Sequence, residues 1–262
     1  MKNGSLVLTV DCGNSNIKFG VFSGDELVAN YRVSTDSSKT SDEYAVLLRC
    51  LLESGGIDTK DFKGAILSSV VPPVQPFLER AIEKVLSYSC ITVQPGIKTG
   101  VTINAENPKE LGADLLCLSV GAVVRHTLPA VVVSLGTATA FVAVSSKPSI
   151  TGVSIAPGIL SAATSLSRTA AQLPQIELAS PKTALGRNTT QSMRSGLVFG
   201  FAGLVDRICH EMSKEMEKQP IIIATGGLLN IISKTTTSIT RFDPFLSMYG
   251  LKALYEKNVE NR

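Results

Sequence analysis

The stretch that decides the fold covers residues 6–22 and reads LVLTVDCGNSNIKFGVF. Two apolar segments rich in Val, Leu, Ile and Phe flank a short polar turn, a pattern typical of a β-hairpin. Further along, LVANYRV follows a second turn at residues 23–25 and adds a third strand. Residues 6–33 are therefore predicted to form a three-stranded meander, and Asp11 stands at the end of the first strand.

The segments after this meander alternate between helix and strand. Ser41 begins an apolar helical pattern that Gly55 ends, and KGAILSSVV is a buried strand. From residue 130 the plan repeats, because VVVSLGTATAFVAV and SITGVSIAPG again read as strand, Gly-containing turn, strand, turn and strand. These patterns predict an α/β protein with a duplicated mixed β-sheet, divided into residues 1–115 and residues 116–262.

Composition excludes several classes of function. Charged residues make up 18% of the chain, and 25 Lys+Arg against 22 Asp+Glu leave little net charge, so neither nucleic acid nor a membrane is an expected partner. The longest uncharged stretch, residues 126–146, contains Pro129 and Gly136 and reads as strands rather than a membrane helix. Five scattered cysteines without a C-x-x-C pair indicate reduced thiols, and the expected location is the cytoplasm.

The first candidate site is the turn between the first two strands. Gly13 permits close approach of the backbone to a ligand, and the side chains of Asn14 and Ser15 supply donors. Lys18 is placed to reach a phosphate, and Asp11 to hold a hydrated Mg²⁺. An ordinary hairpin turn with the same composition is the alternative interpretation.

Two further turns strengthen the functional interpretation. Gly136 and Thr137 occupy the equivalent turn of the second copy, and Gly226 and Gly227 follow a third apolar strand, IIIAT. Three strand-to-turn motifs in this order are what a two-lobed nucleotide-binding cleft needs. The P-loop and Rossmann glycine motifs are both missing from the sequence.

In this order of motifs the chain resembles the actin, hexokinase and Hsp70-type ATPases, and more narrowly the type III pantothenate kinases. Those bacterial enzymes phosphorylate pantothenate at the start of coenzyme A synthesis. The resemblance implies a two-lobed actin-like (ribonuclease H-like) fold with an ATP cleft between the lobes. The matching stretches are DCGNSNIKFGVF, ENPKELGAD, LGTATAF, SIAPGILSAATSLSRTAAQLP, LGRNTTQSMRSGLVFGFAGLVDRI and ATGGL.

The resemblance also implies roles for individual residues. Asp114 is the expected general base that takes the proton of the pantothenate hydroxyl, within a substrate loop that includes Gly112 and Ala113. Thr137 is expected to contact ATP, with Mg²⁺ as the accompanying metal, and Thr189 to line the substrate pocket. For Asp114, a capping or helix-face aspartate is the alternative. A homodimer is implied by the resemblance alone.

Four positions depart from the family's pattern. Leu115 stands where the family has an arginine in the substrate loop, and Ser134 where an aspartate binds a monovalent cation, K⁺ or NH₄⁺. Ala105 replaces a tyrosine, and Val142 replaces an aspartate. Two hypotheses follow: a working pantothenate kinase with an altered site, or a catalytically weakened relative that binds a ligand or regulates a partner.

Overall fold

The structure is a computed structural model that describes residues 5–104 and 106–259, and it divides into two compact units. The first unit takes its described residues from Met1–Gly100, Asn107–Arg125 and Leu246–Arg262, and the second from Val101–Glu106 and His126–Phe245. Each unit has its own mixed sheet and its own hydrophobic core.

The first unit is a five-stranded sheet covered by helices. Its sheet order is β3-β2-β1-β4-β5, with β1 antiparallel to β2 and parallel to β4. Because β1 lies in the middle of the sheet, every one of its residues is buried, which explains its continuous apolar sequence. The strands are β1 Leu6–Cys12, β2 Asn16–Ser23, β3 Glu26–Ser34, β4 Phe62–Ser69 and β5 Ile91–Thr92, and the helices are α1 Ser41–Ser54, α2 Gln75–Leu86 and α3 Ala113–Arg125.

The second unit has a six-stranded sheet in the order β11-β10-β7-β8-β9-β6. Strand β7 is antiparallel to β8 and parallel to β10. The strands are β6 Thr102–Ile103, β7 Ala130–Leu135, β8 Ala138–Val144, β9 Ser149–Pro157, β10 Ile221–Thr225 and β11 Arg241–Phe242. The helices of this unit are α4 Ile159–Thr169, α5 Thr189–Lys214 and the short α6 Leu229–Ile232, and a last helix, α7 Leu246–Val259, follows in the chain.

The predicted duplication is visible in the sheets. In chain order the first sheet runs third, second, first, fourth, fifth strand, and β9-β8-β7-β10-β11 repeats that order, with β6 added beyond β9. The turn after β1 therefore corresponds to the turn after β7. The α/β class and the two mixed sheets expected from the sequence are confirmed.

Local signals placed the helix ends well. The side chain of Thr40 accepts a hydrogen bond from the backbone N–H of Glu43, and the Glu43 carboxylate accepts one from the Thr40 N–H, which forms a capping box. At the other end, Gly55 closes α1, as predicted. Helix α5 begins in a similar way, with Asn188 accepting from the N–H of Gln191.

The division into units differs from the predicted split at residues 115 and 116. Helix α3 stays whole within the first unit, and α7 returns to it after the second unit is complete. The reason is the packing between these two helices, whose backbones touch at two glycines. A Cβ atom on Gly121 would overlap the carbonyl oxygen of Leu246, and one on Gly250 would overlap that of Cys117. In the described residues, no helix has the length and apolarity needed to cross a membrane.

Candidate active site

The turn after β1 is held in shape by hydrogen bonds. The N–H of Gly13 donates to the carbonyl of Asn16 over 3.0 Å. From β3's far end, the hydroxyl of Thr35 donates to the Gly13 carbonyl over 2.6 Å, and its N–H donates to the Ser15 carbonyl over 3.1 Å. Asn14 and Ser15 are exposed at the tip. Thr35 therefore fixes a turn whose polar side chains face outward.

Asp11 lies beside this turn as a buried carboxylate. Its relative exposure is 7%, and its Oδ2 atom accepts hydrogen bonds from two side chains. The ammonium of Lys18 is 3.2 Å away, on the neighbouring position of β2, and the hydroxyl of Ser247 on α7 is 2.9 Å away. A buried carboxylate persists when charged only if it is hydrogen-bonded or paired, and Asp11 is both.

Asp114 lies in the same unit, in the first turn of α3. Burial raises its pKa, the backbone N–H of Leu115 lowers it, the negative charge of Asp11 raises it, and the charge of Lys18 lowers it slightly. Its Oδ1 atom lies over Gly112, where a Cβ atom would approach to 2.5 Å, and Ala113 opens the helix. Asp114 therefore lies in the same unit as the Asp11–Lys18 ion pair, and near enough for both charges to act on its pKa.

The thiols nearest to these carboxylates are not nucleophiles. Burial raises the pKa of Cys12 to about 11, and burial and the charge of Asp11 raise that of Cys117 further. Both cysteines are therefore protonated at neutral pH. Cys209 is buried as well, whereas Cys50 is exposed and Cys90 is partly exposed. Leu115, the next residue after Asp114, is buried as well, so the position of the family's arginine is filled by an apolar side chain.

The turn after β7 packs tightly against Gly158 and the first turn of α4. The N–H of Gly158 donates to the Thr137 carbonyl over 3.1 Å, and the hydroxyl of Ser161 donates to the same oxygen over 2.7 Å. A Cβ atom on Gly158 would overlap the Gly136 carbonyl. The Thr137 side chain is exposed, and the backbone of this turn is therefore fixed by α4 and its leading glycine.

The third turn follows β10. Gly226 has φ of +111°, a conformation open to glycine, and a Cβ atom there would overlap the carbonyl of Leu135. Gly227 is exposed beside it. Thr189 is exposed as the first residue of α5. The second unit thus contains the predicted residues Gly136, Thr137, Thr189, Gly226 and Gly227. Its two glycine turns follow the adjacent strands β7 and β10.

The structure describes the surroundings of three of the four positions that depart from the family pattern. Ser134 lies on β7 between Ala140 of β8 and Thr225 of β10, so no carboxylate flanks it in the sheet. Val142 is fully buried in the middle of β8. Ala105 lies outside the described residues. Within 5–104 and 106–259, no group of three or more His, Cys, Asp or Glu side chains is arranged to hold a metal ion.

Sequence analysis missed three contributors to these sites. Thr35 pins the first turn, Gly158 packs on the second, and Ser247 reaches Asp11 from α7. Gly158 was signalled by the quoted Ile-Ala-Pro-Gly motif. The other two carry no local signal, because an isolated threonine after a strand or an isolated serine in a helix is common.

Comparison with solved structures defines the fold. The chain aligns with MreB 5 of Spiroplasma citri, bound to AMPPNP, with a TM-score of 0.58 and 12% identity over 98% of each chain. It aligns with the ethanolamine utilization protein EutJ of Carboxydothermus hydrogenoformans with a TM-score of 0.52 and 11% identity, covering 94% of this chain and 88% of that one. The fold is therefore that of the actin-like ATPases.

Sequence comparisons define the family. The family model of the type III pantothenate kinases matches residues 7–211. A type III pantothenate kinase from Moorella thermoacetica is 42% identical over 253 residues, which covers 97% of this chain and 100% of that protein. The chain belongs to the type III pantothenate kinase family, and it is accordingly a phosphotransferase of the kinase class.

Proposed function

We propose that this chain transfers the γ-phosphoryl group of ATP to the hydroxyl of pantothenate, with Asp114 as the general base. The observation that carries the assignment is that Asp114 lies in one unit with the Asp11–Lys18 ion pair, whose charges act on the pKa of Asp114. The product is 4′-phosphopantothenate, made in the first step of coenzyme A biosynthesis.

Asp114 suits this role because its pKa is raised. A general base works best when its pKa lies near the pH of the reaction, and burial together with the charge of Asp11 moves this carboxyl in that direction. In the proposed step, Asp114 accepts the proton as the hydroxyl oxygen bonds to the γ-phosphorus, and the bond to the leaving ADP oxygen breaks. Phosphoryl transfer needs positioning and charge neutralisation rather than covalent help from the protein.

The residues of the first turn fit a nucleotide carried with Mg²⁺. Mg²⁺ prefers oxygen ligands, and Asp11 supplies a carboxylate that is already buried and hydrogen-bonded. Bound Mg²⁺ supplies neutralisation of phosphate charge. Lys18 is assigned to a phosphate, and Gly13, Asn14 and Ser15 to backbone and side-chain contacts with it.

In the second unit, we assign Gly136, Thr137, Gly226 and Gly227 to contacts with ATP, and Thr189 to the substrate pocket. Thr137 and Gly227 are exposed in the turns that follow the adjacent strands β7 and β10, which supports the first assignment because these positions are accessible to a ligand. Ser134 does not fit the family's K⁺ or NH₄⁺ site, since a neutral hydroxyl replaces the carboxylate. We route no step through a monovalent cation.

We also propose a homodimer in the cytoplasm as the working form. The faces of α5 near Gly196, Gly200 and Gly203 are open, with no atom within 4 Å of an added Cβ. On the same helix, Phe199 is 39% exposed. The family resemblance implies the dimer, and we assign its interface to this glycine-rich part of α5 around Phe199. Sedimentation of the purified protein tests this, and a monomer at micromolar concentration would exclude it.

The central test is product formation. The purified chain is incubated with ATP, Mg²⁺ and pantothenate, and 4′-phosphopantothenate is measured by mass spectrometry alongside ADP release. Wild type and the control Asp61→Asn, outside the proposed site, should make product, while Asp114→Asn should lose activity by at least about 100-fold. A folded wild-type protein that binds ATP without making product would instead support the weakened, ligand-binding relative, which the apolar Leu115 and the missing carboxylate at Ser134 favour.

A further inference from the structure

Ser247, on the C-terminal helix α7, hydrogen-bonds to Asp11, the carboxylate that we propose holds Mg²⁺. It lies on α7, beyond residues 7–211 that the family model matches, and 236 positions from Asp11. Its hydroxyl nevertheless donates a 2.9 Å hydrogen bond to Asp11 Oδ2, and its relative exposure is only 4%. A buried charge-assisted bond of this length strongly orients the carboxylate.

We propose that Ser247 is a positioning residue, which fixes the Asp11 carboxylate in the orientation that binds Mg²⁺. The inference rests on the proposed role of Asp11 as the metal-binding carboxylate. Groups that orient metal ligands from behind typically contribute about 10- to 100-fold to metal affinity.

The two partners of Asp11 Oδ2 differ in how firmly they are held. The Lys18 side chain is long and 31% exposed, so its ammonium is free to move to an incoming phosphate. Ser247 is short and enclosed, and its hydrogen bond remains when Lys18 moves away. Within the described residues, no hydrogen bond to the other oxygen, Oδ1, is found, which keeps that atom available to a hydrated metal ion.

The helix that carries Ser247 cannot drift away from Asp11. Backbone contacts at Gly121 and Gly250 hold α7 against α3 on both sides of Ser247. The sulfur of the next residue, Met248, lies 3.4 Å from the buried hydroxyl of Thr9 on β1, which donates to the Gly20 carbonyl. The position of the Ser247 hydroxyl is therefore set by main-chain packing rather than by a flexible side chain.

The experiment measures metal binding directly. Mn²⁺ replaces Mg²⁺ and its affinity is determined by electron paramagnetic resonance in the presence of AMPPNP, so the readout does not need turnover. Ser247→Ala should weaken Mn²⁺ binding by about 10-fold, and Ser247→Thr, which keeps the hydroxyl, should restore it. The matched control is Ser119→Ala, since the buried Ser119 hydroxyl donates to the Leu115 carbonyl on α3 and not to Asp11.

A double variant separates positioning from general loss of structure. In an Asp11→Asn background, Ser247→Ala should add less than twofold to the loss of Mn²⁺ affinity, because the group it orients is already changed. In turnover, Ser247→Ala should raise the Mg²⁺ requirement about 10-fold and leave the KM for pantothenate unchanged.

The outcomes divide cleanly. Wild-type Mn²⁺ affinity in a folded Ser247→Ala protein, an equal loss in Ser119→Ala, or a full additional loss in the Asp11→Asn background would overturn the inference. An absence of Mn²⁺ binding in wild type would overturn it too. The proposed function fails separately, if wild type binds Mn²⁺ with AMPPNP normally and makes no 4′-phosphopantothenate.

Discussion

Gly250 of α7 lies directly against the backbone carbonyl of Cys117 on α3, with no space for a Cβ atom between them. Backbone contact of this kind cannot be relieved by a side-chain rotation, so one of the two helices must move if a larger residue is introduced. The same movement would displace Ser247 from Asp11. Stability and the geometry of the proposed site are therefore coupled at this crossing.

The first prediction concerns that crossing. Gly250→Ala should lower the free energy of unfolding by about 2 kcal/mol or more, because overpacking a fixed contact typically costs 1–3 kcal/mol. Denaturant titration followed by circular dichroism measures the change. The control is Gly152→Ala on β9, where an added Cβ meets nothing within 4 Å and the lower backbone entropy of alanine should leave stability equal or slightly higher. Equal behaviour of the two variants would show that α3 and α7 adjust without cost.

The second prediction is that Asp114→Asn raises stability while it removes activity. Because the folded pKa of Asp114 is raised, the folded protein binds more protons than the unfolded chain between the ordinary carboxyl pKa of about 3.9 and the raised value. Stability contributed by this group therefore falls as pH rises through that window and stays low at neutral pH. The asparagine variant lacks this penalty, so its melting temperature should exceed that of wild type at pH 7.

The same measurement at lower pH checks the cause. The difference in melting temperature between Asp114→Asn and wild type should shrink as pH falls below about 4, where the wild-type carboxyl becomes protonated in both states. Asp61→Asn should show no comparable pH-dependent gain. A variant less stable than wild type at pH 7 would instead assign Asp114 to helix capping.

The third prediction concerns the pH dependence of the reaction. If Asp114 is the base, kcat/KM for pantothenate should rise with pH as this carboxyl loses its proton in the free enzyme. The acid limb should lie above the pH expected for an ordinary aspartate, since burial and Asp11 raise the pKa. Initial rates across pH 4–9 measure it. An acid limb at or below about pH 4 would contradict the assignment.

The fourth prediction concerns monovalent cations. With Ser134 between Ala140 and Thr225, the site lacks the negative charge that attracts K⁺, so replacing K⁺ by Na⁺ should change the wild-type rate less than twofold. Ser134→Asp should create a K⁺-dependent rate, whereas the uncharged Ser134→Asn should not. Strong K⁺ activation of the wild type would show that backbone and hydroxyl oxygens suffice.

Much of this fold follows from local sequence patterns. The segment around Asp11 predicts the hairpin, the repeat of its plan around Gly136 predicts the second sheet, and Gly55 marks a helix end. These succeed because strand alternation, glycine turns and helix caps are properties of neighbouring residues. The glycine turns at Gly136 and Gly226 were likewise identified from the chain alone, and the roles assigned to them in binding ATP stay predictions.

The contacts of the C-terminal helix could not be predicted in the same way. Nothing near Ser247 distinguishes it from other helical serines, and its partner Asp11 is 236 positions away. Gly250 looks unfavourable in a helix until Cys117 is seen to lie against it. The boundary predicted at residue 115 does not include the return of α7 to the first unit. The periodicity of apolar residues shows which face of a helix or strand is buried, and not which other element covers that face.

The return of α7 also orders events during synthesis. The second unit is encoded between two parts of the first, so its sheet emerges from the ribosome complete while the first unit still lacks the helix that packs on α3. Domains generally fold as they emerge. The α3 surface on which α7 packs therefore stays uncovered until α7 has been translated, after the whole of the second unit.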